Sequence, residues 1–253
     1  PRMPYTESLP APPPPRSGIA YRRILLKLSG EALCGEDGGF GIRPETLQRV
    51  AAEIAEVSRM GVQIGIVVGG GNIIRGAMAS REGLDRVSAD YMGMLATVIN
   101  ALALQNVLEG LGVETRVMTA IRMESLAEPY IRRRMMRHFE KGRLVIFAGG
   151  TGNPYFSTDT AAVLRALEME AEAVLKATSV AGVYTADPRT DPAATLLPEI
   201  TFQDALVNGY AVMDANAFGL CQANALPIVV LNINQPDTIL RVLHGDRVGT
   251  LVR

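Results

Sequence analysis

Histidine, cysteine and tryptophan are scarce in this chain: its 253 residues include two histidines, two cysteines and no tryptophan. Cys34 and Cys221 are too few for a disulfide framework, and we expect them to be reduced, as is usual in the cytoplasm. His138 and His244 lie in unrelated contexts, and no Cys/His cluster has the spacing of a structural zinc site. The sequence therefore argues against a secreted disulfide scaffold and against a zinc protein.

Strong net charge and long hydrophobic runs are also missing. The formal net charge is −1 at pH 7, so composition gives no general attraction to nucleic acid or to an anionic membrane. No apolar run reaches the roughly 18 residues of a membrane-spanning helix, and no signal-peptide pattern is present. We interpret the arginine-rich segment 132–138 as a solvated face or a subunit contact. We thus expect a cytoplasmic protein with neither a membrane nor a nucleic acid as its partner.

Hydrophobic residues make up 48% of the chain, which is enough for a large core. From Ile24 onward, short apolar runs alternate with Gly-containing turns and with segments of helical periodicity. This alternation predicts an α/β fold, a three-layer αβα sandwich with a mainly parallel central sheet. We expect a single domain over residues 19–253, preceded by a disordered Pro-rich tail over residues 1–18.

Two of the predicted helices have unusual surfaces. The helix predicted over residues 90–111 is apolar around most of its circumference, which indicates burial at a subunit interface. The helix predicted over residues 129–141 carries the arginine-rich segment.

The segment 23–33 reads RILLKLSGEAL, which is typical of a strand buried on both faces of a parallel sheet. Lys27 lies near the carboxyl end of this strand, where ligands of open α/β sheets bind. A buried lysine is costly unless an anion meets it, so Lys27 is a candidate phosphate ligand. The alternative, which the segment alone leaves open, is a lysine that reaches solvent from an edge strand.

Glycine-rich turns follow three predicted strands, at Ser29-Gly30, at 69–72 and at 149–153. Glycine lets the main chain approach a ligand closely, and several such turns at one sheet edge can bind phosphates. Neither the Walker P-loop nor the dinucleotide fingerprint occurs in the sequence. Tight strand-to-helix turns are the alternative; three successive glycines with Arg75 nearby favour anion binding.

Five segments occur in a characteristic order. They are KLSGEAL at 27–33, GGGNIIRG at 69–76, ADYMGMLATVINAL at 89–102, GTGNPYFSTDTAA at 150–162 and GVYTADP at 182–188. Together they resemble the bacterial uridylate (UMP) kinases of the amino-acid kinase superfamily. The resemblance extends from about Tyr21 to Arg253 and implies an amino-acid kinase-like domain. Its acceptor-binding part would cover about 19–172 and its ATP-binding part about 173–253.

The resemblance implies transfer of the γ-phosphoryl group of ATP to UMP, giving UDP and ADP for pyrimidine nucleotide biosynthesis. It implies Mg²⁺ held mainly through the ATP phosphates, with no metal site of the protein's own. It also implies a homohexamer that responds to GTP and UTP as effectors.

The resemblance assigns site residues as follows. The implied catalytic residues are Lys27, Arg75 and Asp159. The implied ATP-binding residues are Lys27, Leu28, Ser29, Gly30, Gly71, Arg75, Thr178, Tyr184 and Asp187. The implied UMP-binding residues are Gly70, Asp90, Thr151, Gly152, Asn153, Pro154, Tyr155, Phe156, Ser157 and Thr158. The segment implied in activation by GTP consists of Gly35, Glu36, Asp37, Gly38, Gly39, Phe40 and Gly41.

Three aspartates have a structural alternative. Asp159 could be a helix N-cap or first-turn acid as well as a partner of Lys27. Asp90 could cap the helix that follows it rather than contact ribose. Asp214 is expected to cap a helix before any role in Mg²⁺ binding or regulation.

The chain departs from the family pattern beside the implied ATP site. Ser179 stands where the family usually has lysine, and Ala181 where it usually has aspartate. Loss of a mutual ion pair and drift of a surface segment are both consistent with this change, which leaves Lys27, Arg75 and Asp159 untouched. Two other functions stay open: a sister kinase acting on a carboxylate or carbamate, and a non-catalytic nucleotide-binding or storage protein on the same fold.

Overall fold

The computed structural model describes residues 18–34, 39–74, 83–188, 190–210 and 212–253. Its strands are β1 Arg23–Leu28, β2 Gln63–Val68, β3 Thr115–Thr119, β4 Glu128–Pro129, β5 Leu144–Ala148, β6 Ala173–Thr178, β7 Val183–Tyr184, β8 Leu196–Leu197, β9 Glu199–Ile200, β10 Ile228–Asn232 and β11 Thr250–Val252. Its α-helices are α1 Pro44–Arg59, α2 Arg86–Gly110, α3 Arg132–Glu140, α4 Thr158–Glu168, α5 Phe202–Val207, α6 Ala215–Ala223 and α7 Thr238–Leu243. A short 3₁₀ helix, Gly30–Leu33, follows β1.

Within these residues, nine strands form one sheet in the order β4-β3-β5-β2-β1-β6-β10-β11-β9. Seven of them, from β4 to β10, run parallel; β11 pairs antiparallel with β10, and β9 parallel with β11. Strands β7 and β8 form a separate antiparallel pair. The prediction of a mainly parallel central sheet is confirmed.

The side chains of β1 alternate between two hydrophobic cores, which explains why the strand is apolar on both faces. Ile24, Leu26 and Leu28 pack with residues of α1, α2 and α7 on one face of the sheet. Leu25 packs on the other face with residues of α3, α4, α5 and α6. The three-layer αβα arrangement follows, because successive strand residues point to opposite faces. Lys27 has the same parity as Leu25 and therefore points toward α4.

Two helices begin elsewhere than predicted. Helix α2 begins at Arg86, because the side chain of Asp85 accepts a hydrogen bond from the amide N–H of Ser88 and caps it. Helix α3 begins at Arg132 because Glu128–Pro129 is drawn into the sheet as the edge strand β4 beside β3.

Helix α2 is only partly buried in the single chain, and its expected burial at a subunit interface stays a prediction. Met94 and Val98 lie in the interior, whereas Met92, Leu95 and Ile99 are 43%, 45% and 51% exposed. The helix is long and apolar enough, by length and composition alone, to cross a membrane. Of its most apolar 18-residue window, 44% is buried inside the protein.

Glu53 of α1 is buried and bridges to α7. Its carboxylate accepts a hydrogen bond of 2.6 Å from the amide N–H of Ile239 in the first turn of α7. The N-cap residue of α7, Asp237, makes no side-chain capping bond. Burial raises the pKa of Glu53 above its ordinary value, and the bond from Ile239 opposes this only in part. Because the folded state holds this proton more tightly, ionisation of Glu53 costs stability as pH rises.

We expect Glu53→Gln to raise the melting temperature at about pH 8, because glutamine keeps an acceptor for Ile239 but brings no charge into the core. The gain should shrink toward about pH 4, where the wild-type carboxyl group is itself protonated. Thermal unfolding followed by circular dichroism measures the effect, and Glu56→Gln, at an exposed position of the same helix, is the control. A gain that grows on acidification would contradict this assignment.

Candidate functional site

The glycine-rich turns predicted as parts of one site do meet at one edge of the sheet. Strands β1, β2, β5 and β6 are parallel neighbours, so their carboxyl ends lie side by side. The turn after β1 touches the turn after β2: a Cβ atom on Gly30 would lie 2.6 Å from Oδ1 of Asn72 and 2.8 Å from the amide nitrogen of Gly71. Glycine is therefore required at position 30 by the close approach of two main chains.

Three charged side chains form the centre of this edge. The carboxylate of Asp159, in the first turn of α4, lies 2.8 Å from Nζ of Lys27 and 2.9 Å from Nζ of Lys176. Lys27 and Lys176 are register partners on the neighbouring strands β1 and β6. The side chains of all three are at most 18% exposed. The structure thus places two cations and one anion in a nearly water-free position at the carboxyl ends of the strands.

The two lysines contact Asp159 differently. Lys176 donates a directed hydrogen bond to Oδ2 and a second, of 2.6 Å, to the main-chain oxygen of Val212. Lys27 is paired with the other carboxylate oxygen, Oδ1, at 2.8 Å. Lys176 thus has a second acceptor in the main chain, in addition to the carboxylate that it shares with Lys27.

Burial acts against the charges of this cluster. Burial alone would raise the pKa of Asp159, but the two ammonium groups outweigh it and hold that pKa below its ordinary value. Burial lowers the pKa of Lys176, although the carboxylate of Asp159 opposes the change. The carboxylate consequently stays ionised between the two lysines.

Lys176 is a functional candidate that the sequence analysis missed. It lies in AVLKAT, an apolar strand with a lysine near its carboxyl end, which is the same pattern that drew attention to Lys27 in RILLKL. The pattern was therefore a usable signal for both lysines.

A cavity of about 460 Å³ opens on the β6 and β10 side of the charge cluster. Lys176 lines it, together with Thr178, Tyr184 and Asp187, the three residues that the resemblance assigns to the nucleoside of ATP. The sequence analysis did not single out its further lining from the segment after α5, which comprises Asn208, Gly209, Tyr210 and Val212. Ser179 and Ala181, where the chain departs from the family pattern, do not line the cavity as the structure describes it.

A second cavity, of about 320 Å³, lies on the β2 and α2 side. Its lining includes six of the residues that the resemblance assigns to UMP, namely Gly70, Asp90, Thr151, Phe156, Ser157 and Thr158. It also includes Gly71, which the resemblance assigns to ATP. Thr158 directly precedes Asp159, so this cavity also reaches the charge cluster. Gly150, from the predicted glycine-rich turn 149–153, also lines it, and the sequence analysis did not single out Ile74, Gly93, Met94 or Thr97. The described wall does not include Gly152, Asn153, Pro154 or Tyr155.

Asp90 fixes the loop over the second cavity. Its Oδ2 accepts hydrogen bonds of 2.8 Å from the guanidinium group of Arg86 and from the amide N–H of Tyr155. Tyr155 has a φ of 71°, a left-handed conformation that is strained for a residue with a side chain. Asp90 lies in the second turn of α2, behind the N-cap Asp85, so the alternative that it caps this helix is wrong.

Asp214 joins two helix starts. It caps α6 by accepting hydrogen bonds from the amides of Asn216 and Ala217, as expected from the sequence. The same carboxylate accepts hydrogen bonds from the hydroxyl groups of Ser157 and Thr160 at the start of α4. Ser157 in turn caps α4, so Asp159 is a first-turn acid and not the cap. Among the described residues, no group of three acidic, His or Cys side chains could hold a metal ion.

The turn after β2 is packed as closely against α2 as main chains allow. A Cβ atom on Gly70 would lie 2.7 Å from the carbonyl oxygen of Gly93 and 2.9 Å from Cβ of Ala96. Within the described ranges, the amide N–H groups of Gly70 and Gly71 donate to no protein acceptor. Two unpaired N–H groups beside a cavity are suited to binding an anion.

Some predicted site residues fall outside the described residues: Arg75 among the catalytic ones, and Gly35, Glu36, Asp37 and Gly38 of the segment implied in activation. Of the same segment, Phe40 is exposed, and the amide N–H of Gly41 donates to the carbonyl oxygen of Asn72 at 2.7 Å. Leu28 is buried at the end of β1, and Ser29 is the N-cap residue of the 3₁₀ helix.

We expect Gly70→Ala to destabilise the protein by about 1–3 kcal/mol, because the added methyl group would meet main-chain atoms of α2 that cannot turn aside. Urea unfolding measures the change. Gly110→Ala is the matched control, since a Cβ atom at the last residue of α2 meets nothing within 4 Å and should be neutral or slightly stabilising. Equal stability of the two variants would show that the turn can move away from the helix.

Comparison with known proteins agrees with this geometry. The sequence model of the Amino acid kinase family matches residues 22–232. The structure is similar to that of UMP kinase from Bacillus anthracis, with 41% identity, a TM-score of 0.88 and coverage of 92% of this chain and 96% of the other. It is also similar to UMP kinase from Ureaplasma parvum, with 40% identity, a TM-score of 0.85 and coverage of 91% and 98%.

A more distant similarity is to uridylate kinase from Archaeoglobus fulgidus, with 26% identity, a TM-score of 0.69 and coverage of 91% and 99%. Both the sequence match and these identities extend over nearly the whole structured part of the chain. The chain belongs to the amino acid kinase family.

Proposed function

We propose that this protein is a UMP kinase, which transfers the γ-phosphoryl group of ATP to UMP and releases ADP and UDP. The observation that carries the proposal is the pair of cavities beside the cluster of Lys27, Asp159 and Lys176. One cavity is lined by Lys176 and the other by Thr158, next to Asp159. UMP kinases that are 40% and 41% identical over more than nine-tenths of the chain support the choice of acceptor.

The chemistry requires charge neutralisation and positioning more than acid-base catalysis. The attacking atom is a phosphate oxygen, which is already anionic near neutral pH, so no general base is needed. The ammonium groups of Lys27 and Lys176 stabilise the negative charge on the donor phosphates and on the group in transfer. Asp159 holds both lysines in place. When bound, Mg²⁺ would be held mainly through the ATP phosphates and would supply further charge neutralisation.

The binding roles follow the two cavities. The larger one would hold the nucleoside of ATP against Thr178, Tyr184 and Asp187, so residues from about 173 onward form the ATP-binding part. The smaller would hold UMP, with its phosphate near Gly70 and Gly71 and its ribose near Asp90. The acceptor-binding part is then about 19–172.

The exposed apolar side of α2 supports self-association. Tyr91, Met92, Leu95 and Ile99 are each more than two-fifths exposed and lie on one helix. A second copy of the chain would remove them from water, and further contacts would complete a homohexamer. GTP and UTP as effectors, with the segment around Gly41 in the response to GTP, belong to the same proposal. Cys34 and Cys221 are buried free thiols that are not joined by a disulfide bond, which suits the reducing cytoplasm.

The two alternative functions predict different results in an assay of ADP release. A kinase of a carboxylate or carbamate would release ADP with acetylglutamate or carbamate as acceptor, and a storage protein would release none. A coupled ADP assay with UMP, CMP, acetylglutamate, carbamate and no acceptor separates them. ADP release that depends on UMP supports the proposed function; release with another acceptor alone, or no release, would overturn it.

We expect Lys27→Ala and Lys176→Ala each to lower kcat by roughly 10² to 10³, the cost of removing one charged donor from the transition state. Initial rates with saturating ATP and UMP measure the loss. Lys141→Ala, at an exposed position after α3, is the control and should keep wild-type activity. A Lys176 variant with near-wild-type kcat would remove that residue from the mechanism.

We expect Asp90→Asn to raise KM for UMP far more than KM for ATP. Asparagine can still accept the Tyr155 hydrogen bond, but it loses the ion pair with Arg86 and the charge beside the ribose. Initial rates over a grid of both substrates give the two constants. Equal changes in both would contradict the assignment of Asp90 to the acceptor side.

A further inference from the structure

Two asparagines form a buried amide pair behind the turn that follows β2. Asn100 of α2 is fully buried and Asn72 is 2% exposed. Nδ2 of Asn100 donates to Oδ1 of Asn72 at 2.7 Å, and Nδ2 of Asn72 donates back to Oδ1 of Asn100 at 3.0 Å. Neither residue lines the two cavities described above. Contact with a ligand in these cavities therefore does not explain why the two amide side chains are buried.

The remaining hydrogen bonds of the pair go to the main chain of two loops. Nδ2 of Asn100 also donates to the carbonyl oxygen of Gly69, at 2.7 Å. Nδ2 of Asn72 donates to the carbonyl oxygen of Gly41, at 2.9 Å, and the Asn72 carbonyl accepts from the Gly41 amide at 2.7 Å. Each buried amide thus has its partners, and each bond ties α2 or the segment before α1 to the turn 69–72.

Apart from this network, the turn is held by main-chain contacts alone: the Gly69 amide donates to the Leu28 carbonyl oxygen at 2.8 Å, and Gly70 packs against α2. Its glycines lack side chains that could pack, and the amides of Gly70 and Gly71 stay unpaired within the described ranges. The bond from Asn100 holds the Gly69 carbonyl oxygen on the buried side of the turn. It thereby fixes the orientation of the peptide planes that follow. A turn of glycines loses the most conformational freedom on ordering, so an external clamp is needed to hold its N–H groups ready for a ligand.

We propose that Asn72 and Asn100 are positioning residues: the pair clamps the turn 69–72 so that Gly70 and Gly71 present their N–H groups to the phosphate of the acceptor nucleotide. The inference rests on the proposed function, since it names the support of that acceptor site. The clamp acts through the turn and touches no substrate. The contact with Gly41 extends it to the segment that precedes α1.

The test compares Asn72→Ala, Asn100→Ala and the double variant in steady-state kinetics with ATP and UMP. We expect each single variant to lower kcat/KM for UMP by roughly 10- to 100-fold, as small misplacements of a binding group do. KM for ATP should change little. The double variant should lose no more than the worse single variant, because either substitution already opens the clamp.

Leu108→Ala is the matched control, because Leu108 is fully buried on the same helix, two turns beyond Asn100, and makes no bond to the turn. It should lower the melting temperature without changing the ratio of the two KM values. Asn100→Ser is assayed in parallel, since a hydroxyl group can bond within its own helix and keeps the variant folded if the alanine variant does not fold.

The outcomes separate the two proposals. A wild-type protein that phosphorylates no nucleotide would overturn the proposed function, and the clamp with it. An active wild type whose Asn72 and Asn100 variants match Leu108→Ala in both KM values, or whose double variant loses the product of the two single effects, would overturn the clamp alone. A selective, non-additive loss for UMP supports it.

Discussion

The ion pairs of Asp159 with Lys27 and Lys176 are the interaction on which the site depends. One carboxylate is shared by two ammonium groups, and all three side chains are at most 18% exposed. A polyanion that entered beside the two lysines would compensate their charge. In the proposed UMP kinase reaction, the favourable electrostatics of phosphate binding would therefore be established by folding and would need little rearrangement.

The walls around this cluster are built differently on the two sides of β1. Toward β6 and β10, the wall is built from loops whose side chains line a large cavity. Toward β2 and α2, it is built from main chain packed at van der Waals distance, with Asp90 and the Asn72–Asn100 pair fixing the loops from behind. The first arrangement suits a bulky nucleoside, and the second suits a phosphate bound by N–H groups.

The sequence predicted the layers, the mainly parallel sheet and the position of Lys27, because these depend on local hydrophobic patterns. Lys176 was overlooked, although the lysine near the carboxyl end of an apolar strand was a usable signal for it. Its contact with Asp159 could not be predicted, since it depends on the register of β6 against β1. The start of α2 was placed four residues late because Asp85 and Asp90 are both possible N-cap residues in the sequence. The structure shows that Asp85 is the cap. The wall formed by Asn208, Gly209 and Tyr210 comes from chain folding between distant segments, for which no local pattern exists.

Lys27 and Lys176 are register partners on β1 and β6, so their main-chain positions can shift along the strands only by whole residues. Neighbouring strands lie about 4.8 Å apart, and main-chain hydrogen bonds rather than side chains set this distance. A slip of β6 by one residue would turn Lys176 to the opposite face of the sheet. Substitution elsewhere can thus change the walls of the two cavities gradually, whereas the register that sets Lys27 beside Lys176 can change only in whole-residue steps that would disrupt both cores.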